Sequence, residues 1–134
     1  MPLVPKVSES DARGSINRYA LGVEYDGSRF HGWQSQLGVT TVQDLLEGAL
    51  SSVAAAPIRV VTAGRTDTGV HASGQVAHFD TVAERTALNW VRGANTNLPE
   101  GLAVTWANEV DNRFHARFSA LSRKYRYILF CRDV

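Results

Sequence analysis

The sequence is poor in the residues and runs that mark several large classes of protein. Its single cysteine, Cys131, excludes an internal disulfide and a zinc site built from several cysteines. No apolar run approaches the roughly 18 residues that a membrane-spanning helix requires, and the N-terminus lacks the apolar core of a secretory signal. We therefore expect a cytoplasmic protein.

Histidine is also scarce, and its spacing does not favour a metal centre. None of the four histidines pairs with another at the spacing of an HExxH zinc motif. We interpret them as ordinary strand and loop residues and predict no metal. They are His31, His71, His78 and His115.

The length and composition fit one globular domain with a single core. The chain has 134 residues, of which 44% are hydrophobic. Residues 1–17 contain two prolines, small polar side chains and no hydrophobic periodicity, which predicts a disordered tail. The folded domain is then expected over residues 18–134.

Lysine is rare among the basic residues, and the basic residues are unevenly placed. The net charge is only +1, but residues 113–132 contain six basic side chains and no acidic one. Twelve of the 14 basic residues are arginines, whose planar fork suits phosphate groups and stacks on bases. This segment indicates a nucleic-acid contact; the alternative is a solvated edge strand kept from aggregating by its charge. Its basic residues are Arg113, Arg117, Arg123, Lys124, Arg126 and Arg132.

Hydrophobic periodicity predicts the order β-α-β-β-α-β-β. Thr41 is positioned to cap the first helix, and Asn97 to Gly101 form a break after the second. This order is typical of an α+β domain with two helices on one face of a mainly antiparallel sheet, as in split βαβ folds, and it leaves the other face free. The strands are predicted at 18–26, 58–63, 75–81, 102–110 and 122–130, and the helices at 42–56 and 84–95.

A loop between two predicted strands, Gly64 to His71, contains the strongest candidate for chemistry. Glycines on both sides permit tight backbone geometry around Asp67. Arg65 lies two residues earlier, so in an extended segment both side chains project to one side, and the guanidinium would keep the carboxylate ionised. Such a carboxylate can act as a nucleophile or a base without a cofactor. An ordinary turn is the alternative, because Asp before Gly is a common turn signal.

Asp67-Thr68-Gly69 also resembles the nucleophile triplet of aspartic proteases. In those enzymes apolar residues precede the triplet, whereas Arg65 and Thr66 precede it here. A nearby guanidinium would oppose the proton sharing on which a carboxylate pair depends. We keep this reading as a distant alternative.

The last predicted strand interleaves aromatic and basic residues. Arg123, Tyr125 and Tyr127 alternate onto one face, with Lys124 and Arg126 on the other. A cation beside two phenol rings suits the stacking of an unpaired base next to its phosphate. The alternative is an edge strand that buries its tyrosines against a helix. By contrast, we interpret Trp33 as a packing residue that positions a loop.

Four segments together resemble the N-terminal half of the TruA-type tRNA pseudouridine synthases. They are YDGSRFHGWQ from Tyr25, AGRTDTGVHASGQVAHF from Ala63, NTNLP from Asn95 and FHARFSALSRKYRY from Phe114. The resemblance covers about residues 18–131. It implies the pseudouridine-synthase fold and the isomerisation of uridine to pseudouridine at three neighbouring positions in the anticodon arm of tRNA, without cofactor or metal.

The resemblance also assigns roles to particular residues. Asp67 matches the nucleophilic or basic aspartate of the family, Arg65 the arginine beside it, and Tyr125 the tyrosine that stacks on the target base. We add the basic residues around Tyr125 as candidate RNA contacts: Arg117, Arg123, Lys124 and Arg126. Family members act as homodimers on tRNA.

The chain differs from the family pattern in its length. Members are roughly twice as long, and their active site lies in a cleft between this domain and a second, similar one. We therefore expect this chain to be a fragment that binds tRNA weakly and is inactive alone. The alternative is an RNA-binding half-domain without catalytic function.

Overall fold

The structure is a computed structural model, and it describes residues 15–117. The predicted last strand, 122–130, and most of the predicted tail lie outside the described residues. Within residues 15–117, every other predicted helix and strand is present. The strands are β1 (Asn17–Tyr25), β2 (Val60–Thr62), β3 (Ala72–Thr81) and β4 (Leu102–Val110); the helices are α1 (Val42–Ala54) and α2 (Ala87–Thr96), with a short 3-10 helix at Gly27–Arg29.

The four described strands form one antiparallel sheet in the order β2-β3-β1-β4. In the centre, Leu21 of β1 lies opposite Ala77 of β3 and Ala107 of β4. β1 and β2 are therefore parallel, joined through α1, with β3 inserted between them. β3 and β4 are related in the same way through α2, with β1 between them. Two interlocked split βαβ units result, which confirms the predicted α+β fold.

Both helices contribute to one core on the same face of the sheet. Alternate residues of β1, from Tyr19 to Tyr25, are buried in that core with Leu46 and Leu50 of α1. Trp90 of α2 is fully buried, and its ring meets that of Phe79 edge-on at 4.8 Å between centroids. Burying rings of this size supplies a large share of the apolar area that stabilises a small domain.

Helix α1 begins as predicted and ends two residues early. The Thr41 hydroxyl donates to the Asp44 carboxylate at 3.0 Å and accepts from the Asp44 N–H at 3.4 Å, which confirms Thr41 as the N-cap. At the other end, Ala55 has a left-handed backbone with φ of 58°. The helix therefore ends before Pro57 rather than at it.

The strands around the Asp67 loop differ in length from the prediction. β2 is three residues long, and β3 begins at Ala72 instead of Gln75. Ala72, Ser73 and Gly74 have low strand propensity, but Ala72 pairs with Tyr25 at the end of β1. Pairing with a long central strand thus outweighs local preference.

The sheet face opposite the helices is partly covered. His78 is buried there, and its Nδ1 accepts a hydrogen bond of 3.0 Å from the N–H of Ala116. Arg18 pairs with Asp80 and also donates to the carbonyl of Phe114 at 2.6 Å. The segment after β4 is therefore tied across a face that the sequence predicted to be free. Neither helix within residues 15–117 is long and apolar enough to cross a membrane.

Candidate active site

The Asp67 loop, residues 63–71, is anchored at both ends. Where it leaves β2, the N–H of Ala63 donates to the carbonyl of Val76 at 2.8 Å. One residue further, the carbonyl of Gly64 accepts from the Gln75 amide at 2.6 Å. At the tip, the N–H of Val70 donates to the carbonyl of Asp67 at 3.1 Å, and Gly69 has a φ of +87°. Asp67 thus opens a real turn, as the alternative reading expected, and its carboxylate stays exposed.

The loop rests on a second segment, residues 25–33, which we call the docking segment. Thr66 makes the main attachment of the loop to this segment. The side-chain oxygen of Thr66 lies 2.7 Å from the hydroxyl of Tyr25, and the carbonyl of Thr66 accepts from the N–H of Trp33 at 3.0 Å. At the far end of the loop, Nδ1 of His71 accepts from the N–H of Gly27 at 3.0 Å. The two segments of the resemblance that begin at Tyr25 and at Ala63 therefore pack against each other.

The backbone of the Asp67 loop lies close to the backbone of the docking segment, and glycines in the docking segment permit this short distance. A Cβ on Gly27 would overlap the backbone of Val70. A Cβ on Gly32 would lie 2.9 Å from the carbonyl oxygen of Thr66, and Gly32 has a φ of +82° that favours glycine in any case. The glycines of the motifs YDG and HGW are explained by this contact.

Two buried aromatic rings support the docking segment. Tyr25 is 4% exposed and Trp33 is 2% exposed, with ring centroids 6.3 Å apart. The burial of Trp33 confirms its interpretation as a packing residue that positions a loop. The Asp67 loop therefore lies on the hydrophobic core through these two rings.

The side chains of Arg65 and Asp67 are exposed on either side of Thr66. Among the described residues they form no ion pair with each other, so the expected contact between guanidinium and carboxylate is not made. The physical reason is that Thr66 is tied inward while its two neighbours point to solvent, where nothing holds the long arginine side chain. The exposed carboxylate also lacks the dry setting of an aspartic-protease pair.

An open groove of about 660 Å³ lies beside the Asp67 loop. Its lining includes Asp26 and Ala72 next to the loop, and Leu98 and Pro99 from the NTNLP segment. The side chain of Asn95, at the start of that segment, accepts from the N–H of Val104 at 2.8 Å and donates to its carbonyl at 3.0 Å. Asn95 thereby holds the segment against β4, so the third segment of the resemblance reaches the same end of the sheet.

Asp26, beside this groove, is held as a carboxylate. The hydroxyl of Ser28 donates to it at 2.6 Å and the N–H of Ser28 at 3.1 Å, and these bonds lower the pKa of Asp26 below its usual value. A hydrogen bond from Arg29 acts in the same direction. Asp26 therefore caps the 3-10 helix rather than carrying a proton.

The fourth segment of the resemblance begins at the opposite end of β1. There burial lowers the pKa of His78 to about 4, with smaller contributions from Arg18 and His115. Neutral His78 can accept the hydrogen bond from Ala116, so the segment leading to Arg117 is held in place. Arg117 is exposed. The other predicted contacts lie outside the described residues: Arg123, Lys124, Tyr125 and Arg126.

No group of three His, Cys, Asp or Glu side chains within residues 15–117 is arranged to hold a metal ion.

The structure adds two residues that the sequence analysis did not select, Tyr25 and Thr66. No signal in the sequence pairs these two residues, because the hydroxyl of Tyr25 and its partner Thr66 lie 41 positions apart.

Comparisons with known proteins match the part of the chain that contains the Asp67 loop and the docking segment. The family described as tRNA pseudouridine synthase matches residues 22–119. The tRNA pseudouridine synthase A of Pseudomonas aeruginosa is 54% identical over 129 residues, which cover 96% of this chain and 45% of the relative. The protein of the same name from Dechloromonas aromatica is 61% identical over 115 residues, covering 86% of this chain and 44% of the relative.

The chain thus spans slightly less than half the length of these relatives. The matched residues include the whole Asp67 loop, the last four residues of β1, the docking segment and the segment that His78 holds. By the extent of this match and the identity to its relatives, the chain belongs to the tRNA pseudouridine synthase family.

Proposed function

We propose that this chain supplies the aspartate-bearing half of an enzyme that isomerises uridine to pseudouridine in the anticodon arm of tRNA. The observation that carries the proposal is the exposed carboxylate of Asp67 on a loop that is hydrogen-bonded to the docking segment before and after it, at Thr66 and at His71. Catalysis by a carboxylate requires that its direction toward the substrate be set in advance. The family membership supplies the substrate class.

The reaction is an isomerisation that consumes no second substrate. The bond between N1 of uracil and C1′ of ribose breaks, the base turns, and a bond between C5 and C1′ forms. The proton on C5 leaves, and N1 is protonated. The carboxylate of Asp67 can begin this sequence by attacking C1′, by attacking the base or by taking a proton from the sugar. These routes differ in the first bond made, and each requires the carboxylate to be held in a fixed direction toward the nucleotide.

Arg65 and Tyr125 have roles in substrate binding in this proposal. Taking a base out of its stack costs a few kcal/mol. Insertion of the exposed Arg65 side chain into the vacated space and stacking of the base on Tyr125 would offset that cost. The basic residues around Tyr125 contact the phosphates of the arm: Arg117, Arg123, Lys124 and Arg126.

The other wall of the pocket belongs to the part of the relatives that this chain does not match. The exposure of Asp67 fits a site that needs a second wall to exclude water. We further propose that the complete enzyme is a cytoplasmic homodimer, and that this chain alone binds tRNA weakly without turnover.

The test is a chimera in which residues 1–134 replace the matched part of the P. aeruginosa relative. Activity is measured as tritium release from tRNA labelled at C5 of uracil. We expect the chimera to be active, the 134-residue chain alone to be inactive, and Asp67→Asn in the chimera to fall below about 1% of the unsubstituted rate. tRNA affinity of Asp67→Asn should stay within a few-fold, because the carboxamide keeps the size of the side chain.

The matched control is Glu109→Gln, which neutralises an exposed carboxylate on β4, opposite Tyr19 and far from the loop. It should retain full activity. Turnover by Asp67→Asn well above 1%, or a loss with Glu109→Gln as large as that with Asp67→Asn, would contradict a special role for Asp67. An inactive chimera that still binds tRNA would favour the non-catalytic RNA-binding half-domain.

A further inference from the structure

The contact between Tyr25 and Thr66 joins the core to the residue next to Asp67. We infer that Tyr25 is a positioning residue: its hydroxyl, bonded to Thr66, holds the Asp67 loop in the arrangement that presents the carboxylate to the substrate. The structural part of this inference concerns the loop alone, and its catalytic consequence rests on the proposed function.

Tyr25 is well placed to set a position accurately. It is the last residue of the central strand β1, is 4% exposed and packs against the buried Trp33. A buried ring on a central strand has little freedom, and a tyrosine side chain has only two rotatable bonds before the ring is fixed. Its hydroxyl therefore occupies a defined point at the edge of the core, 2.7 Å from Oγ1 of Thr66.

Thr66 is held twice, which fixes its orientation as well as its position. Its side chain bonds to Tyr25, and its carbonyl accepts from the N–H of Trp33 at 3.0 Å. A single bond would leave the peptide free to rotate about it, whereas two bonds on different atoms prevent rotation. Because Asp67 follows directly, the direction of its carboxylate depends on both bonds.

Without the Tyr25 hydroxyl, the half-buried hydroxyl of Thr66 has no partner in this place. Thr66 then gains by turning toward water, which moves the peptide that carries Asp67. The backbone bond from Trp33 remains, so the loop should loosen without unfolding. The expected defect is therefore in the placement of the carboxylate, with tRNA binding largely unaffected.

The chain offers a matched control in the same strand. Tyr19 also belongs to β1, is 6% exposed and donates its hydroxyl to a backbone carbonyl, that of Arg85, at 3.1 Å. Tyr19→Phe removes one buried hydroxyl from the same face of the sheet without touching the Asp67 loop. Comparison of Tyr25→Phe with Tyr19→Phe separates the positioning role from a general loss of stability.

The first test is amide hydrogen exchange in the 134-residue chain, which requires no activity. We expect Tyr25→Phe to accelerate exchange at the amides of Trp33 and Val70 about tenfold, because both bonds depend on a docked loop. The amide of Trp90, in α2, should be unaffected. Tyr19→Phe should leave Trp33 and Val70 unchanged relative to Trp90. Equal effects of the two substitutions on Trp33, or no effect of Tyr25→Phe, would overturn the inference.

The second test is kinetic and uses the chimera. Tyr25→Phe and Thr66→Val should each lower kcat about fivefold to tenfold with KM for tRNA unchanged, and the double variant should be no worse than either. Thr66→Ser keeps the hydroxyl and should restore kcat. Additive losses, or losses confined to KM, would contradict positioning. An inactive parent chimera would count against the proposed function only, because the exchange experiment decides the role of Tyr25 separately.

Discussion

Replacing Gly32 with alanine tests the docked loop most directly. Gly32 has a φ of +82°, and a Cβ there would lie 2.9 Å from the carbonyl oxygen of Thr66 and 3.2 Å from the N–H nitrogen of Thr68. Both neighbours are backbone atoms of the Asp67 loop, which can yield only if the loop moves as a whole. Gly32→Ala should therefore push the loop away from the docking segment.

The same chain contains a control with the same backbone angle and no neighbour. Gly38 has a φ of +84°, and nothing lies within 4 Å of the place its Cβ would occupy. An alanine in this left-handed region costs roughly 1–2 kcal/mol at either position. The clash at Gly32 adds about 1–3 kcal/mol, the usual cost of forcing an extra methyl group into a packed place. Gly32→Ala should thus be the more destabilising of the two by about 1–3 kcal/mol.

Urea unfolding of the 134-residue chain measures this difference directly. In the chimera, Gly32→Ala should also reduce pseudouridine formation at least tenfold, whereas Gly38→Ala should retain it. Equal losses of stability for Gly32→Ala and Gly38→Ala would show that the Asp67 loop yields without cost. Full activity of Gly32→Ala would refute the view that docking sets the direction of Asp67.

Two further predictions concern the opposite end of the sheet. The pKa of His78 is about 4 in the folded chain and close to 6.5 when unfolded, so protonation favours unfolding. The free energy of unfolding should reach its full value above pH 7 and be lower by about 2 kcal/mol at pH 5. In urea titrations, His78→Gln should lose less of this free energy between pH 7 and pH 5. An equal loss in the variant and the unsubstituted chain would contradict this. Arg18→Lys loses the paired contact with Asp80 and the bond to Phe114, and should cost about 1–2 kcal/mol. Faster exchange of the Ala116 amide is expected with it, and an unchanged rate would show that Arg18 does not hold this segment.

Periodicity predicted the described helices and strands because each buries one face of a regular element. Alternate residues of β1 from Tyr19 to Tyr25 lie in the core, although Ala20 and Gly22 between them are buried as well, and β4 matches its predicted bounds of 102–110. The ends next to the Asp67 loop were less predictable. There β3 extends back to Ala72 because Ala72 pairs with the end of β1. The strand propensity of single residues carries no information about such a partner strand.

The candidate site was only partly visible in the sequence. The motif around Asp67 indicated the loop and the family, and Gly69 has the positive φ expected of a tight turn. The pairing of Arg65 with Asp67 was inferred from spacing alone and is not made. Spacing reports which side a residue faces, whereas an ion pair on the surface also needs something to hold the side chains. Roles for Tyr125 and its basic neighbours stay predictions.

The sequence by itself determined the α+β class, the loop that carries Asp67 and the membership of the family. These properties depend on local periodicity and on a short run of adjacent residues. Only the tertiary structure decided what holds the loop. The bonds of Thr66 to Tyr25 and Trp33 and the contact of Gly32 with the loop join residues more than 30 positions apart. Such contacts exist because β3 inserts between β1 and β2, which brings the end of β1 beside the Asp67 loop.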